Sequence, residues 1–320
     1  MLALTGCGSK RHSASPPRPS VAVGYSFAYA AGDVADRIAF ERLRRRAGIA
    51  IHIRNLGGVA QAVVALVRGD VQLATMPYST AIRASEEGAH LRVVLGANIA
   101  SDFVLVGGPG IDSVGALRGR RVAFDEPGLD GQTLLQVALA RAGLAGSAVK
   151  SSAISEPGAR AAALAGGKVD AAVLDEADYE RLREHVEPVT ILARLSAYRP
   201  RSTQTVWVVS QKYEQTHRML LRRVVDGLLD GYAFVYTPAG RRAWVSLARR
   251  TVLRRENATL APRLYAFYRR VRFWPLRNAP ITPAQHARTV RFWIAAHQLD
   301  RFVSFARVWD ESFWRRYAER

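Results

Sequence analysis

The apolar positions of this chain follow two rhythms. Short continuous runs, Val21-Ala22-Val23-Gly24-Tyr25, Ile49 to Ile53, Val71 to Met76 and Leu91 to Leu95, read as strands buried on both faces, which need no alternating polar residue. Between them the spacing is helical. Ile38, Ala39 and Leu43 can face a core while Arg37, Glu41, Arg42 and Arg44 to Arg46 face water, with Asp33 as an N-cap and Gly48 as the stop. Strand and helix alternating in this way predict right-handed βαβ units and a parallel sheet flanked by helices.

The pattern then starts again. Phe103 to Val106, Arg121 to Phe124 and Val169 to Leu174 read as further strands, and the helix from the Gly128–Thr133 loop closes at Gly143-Leu144. Two stretches align without a gap: Ala65-Leu66-Val67-Arg68-Gly69-Asp70-Val71-Gln72-Leu73-Ala74-Thr75-Met76 against Ala163-Leu164-Ala165-Gly166-Gly167-Lys168-Val169-Asp170-Ala171-Ala172-Val173-Leu174. Each is a helix end, a glycine able to take a left-handed cap, and a buried strand. This repeat predicts two similar α/β lobes. A strand at Thr203 to Ser210 resembles Asp102 to Gly107, so the chain is expected to leave the first lobe near Asn98–Asp102 and return near Tyr198–Thr203. The expected organisation is a tether over 1–19, one lobe from 20–99 and 203–320, and a second lobe from 100–202. From Tyr213 onward Met219-Leu220, Val224-Val225, Leu228-Leu229 and Tyr232 keep helical spacing, as do Val290, Trp293, Ile294 and Leu299, which predicts a helical C-terminal extension.

Composition changes this picture in two places. A 320-residue chain that is 49% hydrophobic and 23% charged suits two soluble cores, and no run approaches the length of a membrane span. The formal charge of +19 is uneven, +3 before Arg199 and +16 from there on. The lone cysteine, Cys7, ends Leu4-Thr5-Gly6-Cys7, which resembles the lipobox of bacterial lipoproteins, and a Ser/Pro/Lys/Arg tether follows it. On that resemblance Cys7 is the lipid attachment site. Only three residues precede the box, so the basic and apolar regions of a signal peptide are missing from this sequence.

The order Ile111-x-Ser113-x-x-x-Leu117-x-Gly119-basic-x-Val122-Ala123, a glycine-containing loop from Glu126 to Thr133, the second copy of the repeat and the tail Trp309-Asp310-Glu311-Ser312-Phe313 resembles the periplasmic solute-binding proteins of the nitrate/sulfonate/taurine and thiamine-precursor group. The resemblance implies a type II periplasmic-binding-protein fold, two α/β lobes joined by two crossing strands. It further implies an extracytoplasmic, lipid-anchored receptor of an ABC importer. Such a receptor binds a small solute between its lobes and hands it to a membrane permease, without a cofactor or catalysis. A monomer is expected. The alternative is a cytosolic enzyme on the same architecture, since fold does not fix function.

Ligands of open α/β sheets bind beyond the carboxyl ends of the strands. The candidate ligand residues are therefore Tyr25, Ser26, Tyr29, Asn55, Gly58, Pro77, Tyr78 and Ser79 in the first lobe, and Gly131, Gln132, Thr133 and Asp175 in the second. The resemblance places an anion-holding turn at Gly131-Gln132-Thr133, where a helix begins; an ordinary N-terminal cap is the plainer reading of the same residues. Against an anion stand Asp125, Glu126, Asp130, Glu156, Asp175 and Glu176, which cluster in the second-lobe loops and suit amine or amidine donors on a ring stacked against tyrosine. The ligand class thus stays open between a sulfonate- or nitrate-like anion and a nitrogen heterocycle such as a thiamine precursor.

Catalytic motifs are thin. The histidines show no metal spacing, and neither G-x-S-x-G nor a phosphate loop occurs, so no catalytic or metal residue is expected. Arg249-Arg250, Arg254-Arg255 and Arg269-Arg270 interleave with Tyr265, Phe267 and Tyr268 as a nucleic-acid or anionic-membrane surface would. Helical spacing of the aromatics favours a solvated basic face, and nucleic acid is not an expected partner.

Overall fold

The computed structural model describes residues 19–186, 188–276 and 281–315. The Leu4–Cys7 box, Cys7 and the tether to residue 18 lie outside them. Two five-stranded sheets organise the chain. The first holds β1 (Ser20–Tyr25), β2 (Ala50–Asn55), β3 (Leu73–Pro77), β4 (Leu91–Asn98) and β10 (Thr205–Ser210) in the order β2-β1-β3-β10-β4. The second holds β5 (Phe103–Gly107), β6 (Arg121–Phe124), β7 (Lys150–Ala153), β8 (Ala171–Asp175) and β9 (Thr190–Arg194) in the order β7-β6-β8-β5-β9.

The two orders correspond position by position, and the sequence repeat occupies equivalent places. The helix α2 (Val59–Arg68) ends at Gly69, φ 80°, and leads to β3; the helix α5 (Pro157–Ala165) ends near Gly167, φ 64°, and leads to β8. β3 and β8 are the central strands of their sheets. The expectation of purely parallel sheets needs correction. β10 runs antiparallel between β3 and β4, and β5 runs antiparallel between β8 and β9. Each is the strand by which the chain enters a sheet from the other one, so its direction is set by the crossing rather than by a βαβ unit.

The crossings lie side by side. Gln204 N–H donates to Asn98 O at 3.1 Å and Thr205 N–H to Asn98 Oδ1 at 2.8 Å, stitching the outgoing strand to the returning one. The first sheet carries α1 (Val34–Ala47), α3 (Tyr78–Glu86) and α8 (Arg218–Val235) against one continuous core that extends into the C-terminal helices. α1 and α8 meet closely because Gly231 has no side chain; a Cβ there would lie 2.2 Å from that of Ala39. The second sheet has a smaller core on each face, with Leu134 and Leu139 of α4 (Asp130–Arg141) on one side and Ala163 and Leu164 of α5 on the other.

The last third is helical as its apolar spacing predicts: α9 (Pro238–Arg250), α10 (Leu260–Arg270), α11 (Pro283–Ala295) and α12 (Phe305–Val308). Trp244, Tyr265, Tyr268 and Trp274 pack as an aromatic cluster with ring centroids 5.4 to 6.2 Å apart. Those aromatics are buried, and the arginines interleaved with them, Arg249, Arg250, Arg254, Arg255, Arg269 and Arg270, are exposed, the segregation expected of amphipathic helices. Among the described residues no helix is long and apolar enough to cross a membrane.

Candidate functional site

A cavity of about 160 Å³ lies between the carboxyl ends of the strands of both sheets. The first sheet supplies Tyr25 at the end of β1, Ser26 and Phe27 just beyond it, and Thr75 to Pro77 at the end of β3. The second supplies Asp125 beyond β6, Asp130 at the start of α4 and Asp175 at the end of β8. Asn98, Asp102, Phe103, Gln204 and Thr205 enter from the crossings, and Tyr268 and Phe273 close the wall from the C-terminal helices.

Tyr25 is held from behind. Its hydroxyl donates to Asp36 Oδ2 at 2.9 Å, and Tyr232, itself accepting from Trp207 Nε1 at 3.0 Å, donates to Asp36 Oδ1 at 2.6 Å. A buried carboxylate with two hydroxyl donors fixes the ring edge that faces the cavity. Ser26 donates to Thr75 O, which ties the β1 loop to the end of β3.

The wall is acidic. Asp33, Asp102, Asp125, Asp130 and Asp175 all line it, whereas Arg160 is the one cationic side chain among the described lining residues. Arg160 is anchored by backbone carbonyls, with Nε donating to Val173 O at 2.7 Å and Nη1 to Ile154 O and Ser155 O, each at 2.8 Å, and its charge acts on Asp125 and Asp175 of the same wall. Burial pushes these carboxyls upward, because the ionised form loses water. Asp33 and Asp125 rise to about 6 and Asp175 to about 7, the last helped by Asp178. Asp102 rises well above the usual range through burial and then the nearby Asp175. Asp130 is raised by burial against the opposing pull of Arg199, whose Nη1 lies 3.1 Å from Asp130 Oδ2.

Of the residues expected from sequence, Tyr25, Ser26, Pro77 and Asp175 line this cavity, and eight do not. Tyr29 stands behind Tyr25 with its hydroxyl on Asp33 O. Asn55 is exposed at the end of β2, where its Oδ1 caps Gly57 N–H, and Gly58 begins α2 away from the cavity. Tyr78 is fully buried on the far side of α3: its hydroxyl meets His286 Nδ1 and accepts from Trp309 Nε1 at 2.5 Å. Ser79 instead donates to Asp130 Oδ1.

At Gly131-Gln132-Thr133 the start of α4 is capped from within the chain. Gly131 N–H donates to Asp125 Oδ2 and Gln132 N–H to Asp125 Oδ1, both at 2.9 Å, so the free amide groups at the start of α4 are taken by the chain's own carboxylate. Thr133 Oγ1 turns back to Leu129 O, and Gln132 Oε1 accepts from Gly128 N–H.

Several lining residues escaped the sequence reading. Asp33 reads as a helix cap, and it does precede α1, but its carboxylate accepts from Ala30 N–H and faces the cavity. Asp102 and Gln204 sit on the crossings, where no motif marks them. Tyr268, on α10, and Phe273, just beyond it, look like any core aromatics. The acidic cluster was the available signal, and Asp125, Asp130 and Asp175 of it do converge. Glu176 turns away to Arg194 at 2.8 Å.

A second cluster, Glu184, His185 and Glu256, brings three possible metal-ligand atoms close together. It is apart from the cavity, and its carboxylates are engaged by Arg263 at 2.7 Å and Arg181 at 3.4 Å, which leaves little negative field for a cation.

A search of curated protein sequences finds no match. Solved structures are similar throughout. The alkanesulfonate-binding protein SsuA from Xanthomonas axonopodis pv. citri, bound to MOPS, is 21% identical with a TM-score of 0.70, covering 92% of this chain and 99% of its own. The ligand-binding component of an ABC-type import system from Staphylococcus aureus is 12% identical with a TM-score of 0.76, covering 94% and 100%. The periplasmic nitrate-binding protein NrtA from Synechocystis PCC 6803 is 10% identical with a TM-score of 0.73, covering 94% and 88%. At these identities the likeness establishes the fold, the periplasmic-binding-protein architecture of two mixed α/β sheets. Residues 45–239 match the family described as NMT1/THI5 like, more than half of the chain, and this protein belongs to that family.

Proposed function

We propose that this chain is the extracytoplasmic solute receptor of an ABC importer, and that its solute is a small planar nitrogen compound carrying N–H donors, of the thiamine-precursor type, held between the two lobes. The observation that carries the ligand class is the acidic wall, five carboxyls around a cavity whose lining arginine is already bonded to backbone carbonyls. Gln204 adds to it, since its Oε1 is buried without a partner and accepts only from a donor. Tyr25, Phe27, Phe103 and Phe273 offer faces and edges for a ring.

The sulfonate- or nitrate-like alternative has less support, because a carboxylate already fills the amide groups at the start of α4. The enzyme alternative has less still, because the similar solved structures named above are described as binding proteins or ligand-binding components. Receptor function fits a membrane permease as partner, a monomeric state and acylation at Cys7. Comparing membrane partitioning of wild type with Cys7→Ala, both expressed behind a lipoprotein signal peptide, tests the anchor, which equal soluble fractions would rule out.

The ligand test is thermal. A hydroxymethyl-aminopyrimidine at about a hundred times its Kd should stabilise the purified chain by about 2.7 kcal/mol. Stabilisation by taurine or nitrate with none by the aminopyrimidine would defeat this reading.

A further inference from the structure

We infer that Asp125 is a built-in occupant of an oxyanion cradle at the start of α4, and that its presence decides which charge the adjoining cavity accepts. The first N–H groups of a helix lack intrahelical partners and carry the positive end of its dipole, so they hold an anion. In α4 the N-cap position is Leu129, whose side chain cannot cap. The acceptor comes instead from Asp125, beyond the end of β6, with one carboxylate oxygen on Gly131 N–H and the other on Gln132 N–H. That two-point geometry is the one a carboxylate or sulfonate of a ligand would adopt.

Two further features separate this arrangement from an ordinary cap. Asp125 is 6% exposed yet lines the cavity, so its carboxylate stands where a ligand's acidic group would otherwise form part of the wall. Gly131 is shaped to it, since a Cβ at this position would lie 2.7 Å from the carboxyl carbon and expel it. A cavity with its cradle filled this way repels oxyanions and attracts donors. With the carboxylate gone, the two amide groups would lose their partner behind the cavity wall and favour an oxyanion that reaches past it. The inference rests on the cavity being the ligand site, as proposed above.

The test uses the full chain, methanesulfonate as probe and calorimetry. Wild type should show no methanesulfonate binding, and Asp125→Ala should gain on the order of tenfold to a hundredfold in affinity, two charge-assisted bonds being available. Asp125→Asn removes the charge but keeps an acceptor in the cradle, and it should gain little. Equal gains in Asn and Ala variants would mean that charge alone excludes anions, and a folded Ala variant with no gain would mean that the cradle does not reach the ligand; either overturns the inference. Should Asp125→Ala fold poorly, Asp125→Ser carries the same comparison, read as a rise in melting temperature with methanesulfonate over chloride at equal ionic strength. Aminopyrimidine binding by wild type is measured separately, so loss of that reading and loss of this one are distinct results.

Discussion

Ser79 Oγ donates to Asp130 Oδ1 at 2.9 Å, joining the first turn of α3, on the first sheet, to the first turn of α4, on the second. Arg199, on the returning crossing, holds the other oxygen of Asp130 and also donates to Thr203 O at 3.0 Å. One buried carboxylate therefore ties two lobes and a crossing together. Asp130→Ala would leave the Arg199 guanidinium, 4% exposed, without its counter-ion. Loss of one partner from a buried pair costs about 3 to 5 kcal/mol, whereas Ser79→Ala should cost only about 1 kcal/mol. Denaturant unfolding of both variants checks the ranking, and equal losses would contradict it.

The buried acids fix a pH dependence. Asp175 is raised from 3.8 to about 7, so the folded state holds a proton that the unfolded chain releases earlier. Its contribution to stability is complete below pH 3.8 and is lost as pH rises through about 7, with Asp33 and Asp125 acting alike up to about 6. His286, lowered by burial, works the opposite way, losing stability as pH falls. The ligand-free protein should thus lose part of its stability between pH 4 and 7 in a manner that Asp175→Asn flattens, read from melting temperatures across that range. Affinity for a cationic ligand should rise over the same interval, since only ionised carboxyls attract it.

If the ligand spans both lobes, Asp33 on the first and Asp175 on the second report on one closed state. Asp33→Asn and Asp175→Asn should then each weaken binding, with the double variant departing from additivity by about 0.5 kcal/mol or more. Small-angle scattering should show a smaller radius of gyration on ligand addition, because binding to both lobes shifts the population toward closure. Additive losses with an unchanged radius would argue against closure.

Tyr78 separates structure from binding. His286 Nε2 bonds to Val303 O at 2.7 Å, which leaves Nδ1 to accept from the Tyr78 hydroxyl, while Trp309 Nε1 donates to that same oxygen. Tyr78→Phe strands both partners in a buried core and should cost about 2 kcal/mol or more of stability. Ligand affinity should be unchanged within error, as Tyr78 does not line the cavity; a large affinity loss without destabilisation would reverse that assignment.

Local sequence determined a good deal of this protein. The buried runs set the strands β1, β3, β4, β6 and β8, and the glycine stops set α1 and α2, because burial on both faces and left-handed caps depend on a few adjacent residues. The repeat at 65–76 and 163–174 marked equivalent central strands, β3 and β8. Tertiary structure decided the rest. The directions of β5 and β10 follow from how the chain crosses between sheets, which no strand's own residues record. Asp33, Asp102, Asp175 and the pair Asp125 and Asp130 come from four separate segments, so their common wall exists only once both sheets are placed. Asp125 shows the limit most clearly: a glycine-rich turn at a helix start has the same sequence whether its amide groups await a ligand or already hold a side chain, and the difference is a contact across a loop.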